Sequence, residues 1–370
     1  MKYIQYLMIL IIIISWACLI YFQNNNTENF SLNMVDDIIH NKYEKNSDEY
    51  YIYRNKADEE KLKTEPYNLI LYDNLAVWYD HLWDLDRALE IYKTKKILLE
   101  NKTEDIDNLY RYHANIWTFF IHDGIKKWFK NKEDLGAQLI IIDWKNHIKK
   151  AIELNKEAHF WRENYQLIAI ENLIKSFDNS EQLIEYNLLW KNTLDDNRLM
   201  KKWDYYSCWE EYHDIYPEVK KVGKSKNEQI LDSCPMTLKW LVWMVRFGGW
   251  PNPYTFVTIW DILTTMWEYN LAVASYFRAI ELQHPNSINI KEYINKLSYT
   301  IYWNMDKNNS YELLYNQYKS DLELWTQWSN NYVNFQKEAI KNNGDPRNIN
   351  IYNNFYKEYN YPQNIKYNRK

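Results

Sequence analysis

Only 6 of the 370 residues are glycine, 8 are proline and 3 are cysteine. Average usage would give roughly 26 glycines and about 18 prolines. Dinucleotide-binding sheets, phosphate-binding loops, β-propellers and hairpin-rich sandwiches all draw on glycine, either for positive-φ turns or for close backbone approach to a phosphate. The shortage argues against each of them and leaves an all-helical chain as the expectation. A basic surplus is missing too: 45 Lys+Arg stand against 50 Asp+Glu, a formal charge of -5. Neutralising phosphates needs a basic excess gathered on one face, so no nucleic-acid partner is expected. Nor is there an H-E-x-x-H, G-x-S-x-G, G-x-x-x-x-G-K or G-x-G-x-x-G string, which removes the best-defined zinc, serine and nucleotide signatures; no nucleotide, cofactor or metal is expected. Three cysteines cannot make a disulfide framework. With Cys18 in an apolar segment, Cys208 and Cys234 remain, to pair in an oxidising compartment or to sit as two buried thiols.

Aromatic residues are present in excess: 12 Phe, 34 Tyr and 18 Trp, 17% of the chain, enough to build a large core without many Leu or Val. Long apolar runs are otherwise rare, but residues 3–22 form one, interrupted only by Gln5 and Ser15. About 20 such residues span a bilayer as a helix. Lys2 and the α-amino group precede the run, and no basic residue follows it within 23–28, so the charge bias places the rest of the chain outside the cytoplasm. Ser15-Trp16-Ala17 followed by Cys18 leaves a cleaved signal peptide and a lipoprotein as alternatives. Residues 1–23 are thus read as a signal anchor or signal peptide, 24–65 as a polar spacer with a turn or two of amphipathic helix, and 346–370 as an Asn/Tyr-rich tail.

Between them the periodicity is helical. Thr64-Glu65-Pro66 reads as a helix start. Ile70, Leu71, Leu75, Val77 and Trp78 lie on one helix, and Leu85, Ala88, Leu89, Tyr92 and Leu98 on the next, with Trp83-Asp84 between them. Further pairs are expected at about 107–153, 157–200, 227–246 and 253–282, and one or two closing helices over 301–345. Two segments superpose without gaps: Tyr72, Leu75, Ala76, Tyr79, Trp83, Ala88, Tyr92, and Phe256, Ile259, Trp260, Leu263, Trp267, Ala272, Tyr276, Ala279. This spacing resembles the tetratricopeptide repeat (TPR), whose 34-residue unit is a pair of antiparallel helices. Pro66 falls where a preceding repeat would end. Trp83 and Trp267 depart from the pattern, standing where the helix-helix turn usually has glycine; Trp260 stands at a small position, and Lys95 replaces a late alanine.

The resemblance implies an all-α fold of stacked helix pairs over 66–300, winding into a right-handed superhelix behind the membrane helix. It also implies an inner groove lined by Ile70, Asp73, Val77, Asp80 and His81 in the first segment, and by Tyr254, Val257, Asp261, Thr264 and Thr265 in the second. Such a groove is acidic and aromatic, unlike one that clamps a peptide carboxylate. The expectation is a non-enzymatic scaffold holding a neutral or basic segment of another envelope protein. A contrasting possibility is a helical toroid that stacks sugars on tryptophan and cleaves them with paired carboxylates, Asp143 beside Trp144 or Glu163 beside Trp161. Two further strings, His122-Asp123 and Glu210-Glu211-Tyr212-His213, lack the partner ligands that a metal site needs and are read as helix surface.

Overall fold

The computed structural model describes residues 31–100, 104–155, 162–178, 188, 226–248, 252–266, 268–292, 294 and 310–359. Among these no strand occurs and the fold is all-α. The helices are α1 (Leu32–Ile39), α2 (Asp48–Thr64), α3 (Leu69–His81), α4 (Leu85–Glu100), α5 (Ile106–Lys130), α6 (Leu135–Leu154), α7 (Arg162–Lys175), α8 (Lys226–Gly248), α9 (Pro253–Thr265), α10 (Tyr269–Glu281), α11 (Ser310–Lys341) and α12 (Tyr352–Glu358). No described helix is long and apolar enough to cross a membrane; the apolar run at 3–22 lies outside the described residues.

Four helices start on an Asn or Asp whose side chain accepts a backbone N–H: Asn68 from Ile70, Asp105 from Asn108, Asp134 from Ala137 and Asn252 from Tyr254. Each satisfies a donor that the first turn would otherwise leave open. Thr64 does not start a helix. It ends α2, its hydroxyl donating to the Lys61 carbonyl at 3.0 Å.

The helix ends show how a glycine-poor chain turns. Asn41, Trp83, Gln283 and Asn343 all have φ near +60°, at 60°, 60°, 61° and 59°. In each case the N–H of the next residue reaches back five residues, as from Asp84 to the Tyr79 carbonyl at 3.0 Å and from His284 to Ala279 at 3.0 Å. This is the left-handed helix cap that glycine usually occupies. Asparagine accepts that conformation readily; tryptophan and glutamine do not.

Helices α3 to α7 pack chiefly on their neighbours in sequence, and α9 pairs with α10. Small residues set the approach: Ala76 and Ala88 are fully buried between α3 and α4, with Tyr92 and Phe119 filling the layer toward α5. In the second segment Ala272 and Ala279 are equally buried, and Trp260 lies face to face on Tyr276, ring centroids 3.5 Å apart and 5° from parallel. Two flat rings fit where an aliphatic pair of that bulk would force the helices apart.

Several elements differ from the sequence reading. The stretch 24–65 is no spacer beyond residue 31. Met34, Val35, Ile38 and Ile39 of α1 form one apolar stripe, buried against Leu238, Leu241 and Val245 of α8 and Tyr276 and Phe277 of α10. The 17-residue α2 lies along α3, with Trp78 Nε1 donating to Asp58 at 3.3 Å and Tyr79 to Glu59 at 2.7 Å. Its charged residues mask this burial from a hydropathy count, because the contacts are polar and aromatic. Residues 227–246 lie within one 23-residue helix, not a pair; of the one or two closing helices expected, the described residues show one of 32 residues. The start of the tail is also folded: Tyr352 and Phe355, three apart on α12, pack on Trp325, Trp328 and Tyr332.

Residues 41–49 then join the two ends of the described chain. Ser47 donates its backbone N–H to Gln336 Oε1 at 2.7 Å, and the same buried Gln336 donates to Asn46 and Tyr352 at 3.1 and 2.9 Å. Asn41 accepts from Arg278 at 3.1 Å, Lys42 lies over Trp325, and Tyr356 donates to Glu44 at 2.6 Å.

Candidate functional site

The residues expected to line a groove are mostly covered. Asp73 is 4% exposed, Asp80 8% and Asp261 5%, so none is a solvated carboxylate facing a partner. Asp73 Oδ1 accepts from Lys95 Nζ at 2.5 Å, from Tyr92 Oη at 2.5 Å and from Asn115 Nδ2 at 3.4 Å. Burial pulls the Lys95 ammonium below its ordinary value despite the adjacent carboxylate, and it pushes the Tyr92 phenol well up, with Asp73 adding to the rise. Lys95, the departure from the repeat pattern, is therefore the counter-ion of Asp73, a groove position on the preceding helix. His81 stacks on Tyr51 of α2, 4.6 Å and 4° from parallel, so α2 covers that side of α3. Tyr254 and Val257 are buried, Val77 and Thr264 are half-buried, and Ile70 alone is exposed, at 50%. The side chain of Thr265 lies outside the described residues.

The glycan-cleaving alternative fares similarly on the residues named for it. Glu163 is 1% exposed and accepts from Tyr110 at 2.8 Å, which leaves it no approach to a substrate. Asp143 is exposed. The side chains of Trp144 and His122, and residues 161, 208, 210–213 and 267, lie outside the described residues. Cys234 is fully buried and disulfide-bonded; its expected partner Cys208 is outside the description.

A different feature remains open. Trp83 combines a left-handed backbone with 51% exposure. Glycine in that cap would avoid the strain, on the order of 1 kcal/mol, and an exposed indole gains little burial in return. The indole forms one wall of a cleft of about 320 Å³ between the α3–α4 turn and α5, lined also by Asp84, Leu85, Asp86, Leu89, Phe120, Asp123 and Lys127. Leu85, Leu89 and Phe120 supply an apolar floor. Three carboxylates rim it against one cation, and Lys127 is already engaged by Asp123 at 2.5 Å; Asp84 caps α4 through the Arg87 N–H at 3.2 Å. A larger hollow of about 430 Å³ runs along α11. Its walls are mostly amide and charged side chains of that single helix, with neither an aromatic platform nor strained backbone, so the Trp83 cleft is the stronger candidate.

A second polar feature was invisible in the sequence. His113 of α5 and His147 of α6, 34 residues apart, bring their Nδ1 atoms within 2.8 Å. Burial lowers both pKa values, that of His147 to about 4, with the neighbouring His113 adding to its shift. No motif flags such a pair, because only the register of two long antiparallel helices brings it together. Among the described residues no group of three or more His, Cys, Asp or Glu is placed to hold a metal.

Compared with protein families, with characterised proteins and with solved structures, the chain matches none.

Proposed function

We propose that this chain is a non-enzymatic scaffold of TPR-like helix pairs, wound as a right-handed superhelix, held at a membrane by residues 3–22 and facing outside the cytoplasm. It takes a basic segment of another envelope protein against the Trp83 cleft. Sequential packing of α3 to α7 and burial of Ala76, Ala88, Tyr92, Ala272 and Tyr276 at matching repeat positions support the repeat reading. The observation that carries the binding reading is the strained, exposed Trp83 above an acidic rim. An indole face attracts a lysine or arginine head group, while Asp84 and Asp86 pair with its charge. The binding surface in this reading is the outer helix-helix turn. The inner groove, where Asp73 and Lys95 neutralise one another, has less to offer a charged partner.

Fluorescence anisotropy with labelled Lys/Arg-rich and Asp/Glu-rich peptides of equal length tests this. The full-length protein is expected to bind the basic peptide at least tenfold more tightly, and Trp83→Ala or Asp84→Lys/Asp86→Lys to remove the preference. Equal binding of both peptides, or an unchanged preference in both variants, would overturn the site. Hydrolysis of a glycan by the purified protein, abolished by Asp86→Asn, would overturn the non-enzymatic reading in favour of a sugar-cleaving one.

A further inference from the structure

Helix α2 is built to hold its shape without its neighbours. Ser47 caps it, accepting the Tyr50 N–H at 3.2 Å. Asp48 and Glu49 lie in its first turn and Lys61 and Lys63 in its last, the charges that complement the helix dipole. What it lacks is a buried apolar side chain. Its two buried residues are Asn55 and Asp58, whereas α3 beneath it buries Leu69, Leu71, Leu75 and Ala76. Asn55 is 4% exposed, yet neither its amide oxygen nor its amide nitrogen has a hydrogen-bond partner among the described residues. The connectors at 44–46 and 65–67 are exposed. A helix with strong local signals, no buried apolar contact and an unpaired buried amide sits at the low end of local stability, from which moving elements are drawn.

We propose that α2 is a displaceable strap and that the face of α3 beneath it is a docking surface for a helix of another protein. The contacts of α2 define that helix. Tyr51 stacks on His81, ring centroids 4.6 Å apart and 4° from parallel, and on Trp78 at 5.8 Å. Arg54 lies over the Trp78 ring at 4.8 Å, and Asp58 accepts from Trp78 Nε1 at 3.3 Å. Spaced three, four and seven apart, positions 51, 54, 55 and 58 share one helical face. A better occupant keeps the aromatic residue, the arginine three positions on and the carboxylate seven on. It carries leucine in place of Asn55, because an apolar group of similar bulk leaves no amide unpaired. Such a helix competes with a tethered segment at high effective concentration, so the strap sets a threshold that only a well-matched partner passes. The surface shares no residue with the Trp83 cleft.

Two variants within α2 leave the α3 face intact and push the strap in opposite directions. The probe is a fluorescein-labelled peptide of residues 47–65 carrying Asn55→Leu, its binding to the full-length protein read by anisotropy. Tyr51→Ala/Arg54→Ala in the protein should loosen the strap and raise peptide affinity about tenfold; Asn55→Leu in the protein should tighten it and lower affinity by about as much. Trp78→Ala added to the loosened protein should remove binding. Affinity that ignores both α2 variants, or that survives Trp78→Ala, would overturn the surface. A loosened protein that self-associates in sedimentation without gaining affinity for the peptide would make a second copy the occupant and refute the partner-helix assignment. Hydrogen exchange of the wild type tests the strap independently of any variant: residues 52–64 are expected to exchange at least about tenfold faster than α3, and equal protection of the two helices refutes it.

Discussion

Replacing Lys95 with alanine restores the residue the repeat pattern prefers, and intrinsic helix propensity favours the change by a few tenths of a kcal/mol. The structure predicts the opposite result. Lys95 is 0% exposed and donates to Asp73, itself 4% exposed, and removing one partner of a buried pair costs about 3–5 kcal/mol because a buried charge is left behind. Tyr92 and Asn115 still donate to the same Asp73 oxygen, which places the loss near the lower bound, about 3 kcal/mol. For a body of this size that corresponds to a melting temperature lower by on the order of 8 °C. Asp73→Asn/Lys95→Met removes both charges while keeping an acceptor for Tyr92. It is expected to melt above Lys95→Met alone, since the uncompensated charge is gone. Far-UV circular dichroism melts of wild type, Lys95→Ala, Lys95→Met, Asp73→Asn and the double variant measure this. A Lys95→Ala variant within about 1 °C of wild type, or a double variant worse than the sum of its singles, would refute the argument.

Burial, reinforced by the neighbouring Asp36, raises the Asp37 carboxyl to about 6. Its folded pKa exceeds the unfolded 3.8, so protonation stabilises the fold fully below 3.8, and that contribution disappears as pH rises through about 6. Asp37→Asn should therefore raise the melting temperature at neutral pH and make no difference at acid pH; a neutral-pH decrease contradicts this. His284, 2% exposed and lowered by burial to about 4, acts in the other direction. Its contribution is present above the unfolded 6.5 and is lost as pH falls toward 4, so His284→Phe should flatten the acid limb of a stability profile. Gln336→Leu strands the buried Ser47 N–H and removes the donor to the Tyr352 hydroxyl, which keeps its own bond to the Pro346 carbonyl, at a cost of about 1–3 kcal/mol. Hydrogen exchange should speed up in residues 41–64 more than in α5 and α6, and uniform exchange would show that the two ends are not joined through this residue. A Cys208–Cys234 bridge closes a loop of roughly 26 residues, worth about 3.5 kcal/mol in chain entropy; peptide mass spectrometry without reductant should find that pair, and Cys234 linked to any other thiol contradicts it.

Sequence alone determined the all-α class, because helices need glycine only at their ends, and determined the pairs α3–α4 and α9–α10, because Ala88 and Ala272 with their aromatic neighbours repeat at fixed spacing. The apolar stripe of α1 was present in Met34, Val35, Ile38 and Ile39 but short, and its significance depended on α8 and α10 lying beside it. Charge was the least legible property. Asp73, Asp80 and Asp261 read as an acidic surface because residue type carries no information about burial. The counter-ion Lys95 lies 22 residues from Asp73, a spacing at which neither helical periodicity nor charge patterning predicts contact. The covering of α3 by α2, the joining of Ser47 to Gln336 across 289 residues and the meeting of His113 with His147 are likewise long-range choices. Local propensity fixes where a helix begins and which face is apolar. Which polar atoms end up opposite one another depends on helix length and crossing angle, and those are decided by packing of the whole chain.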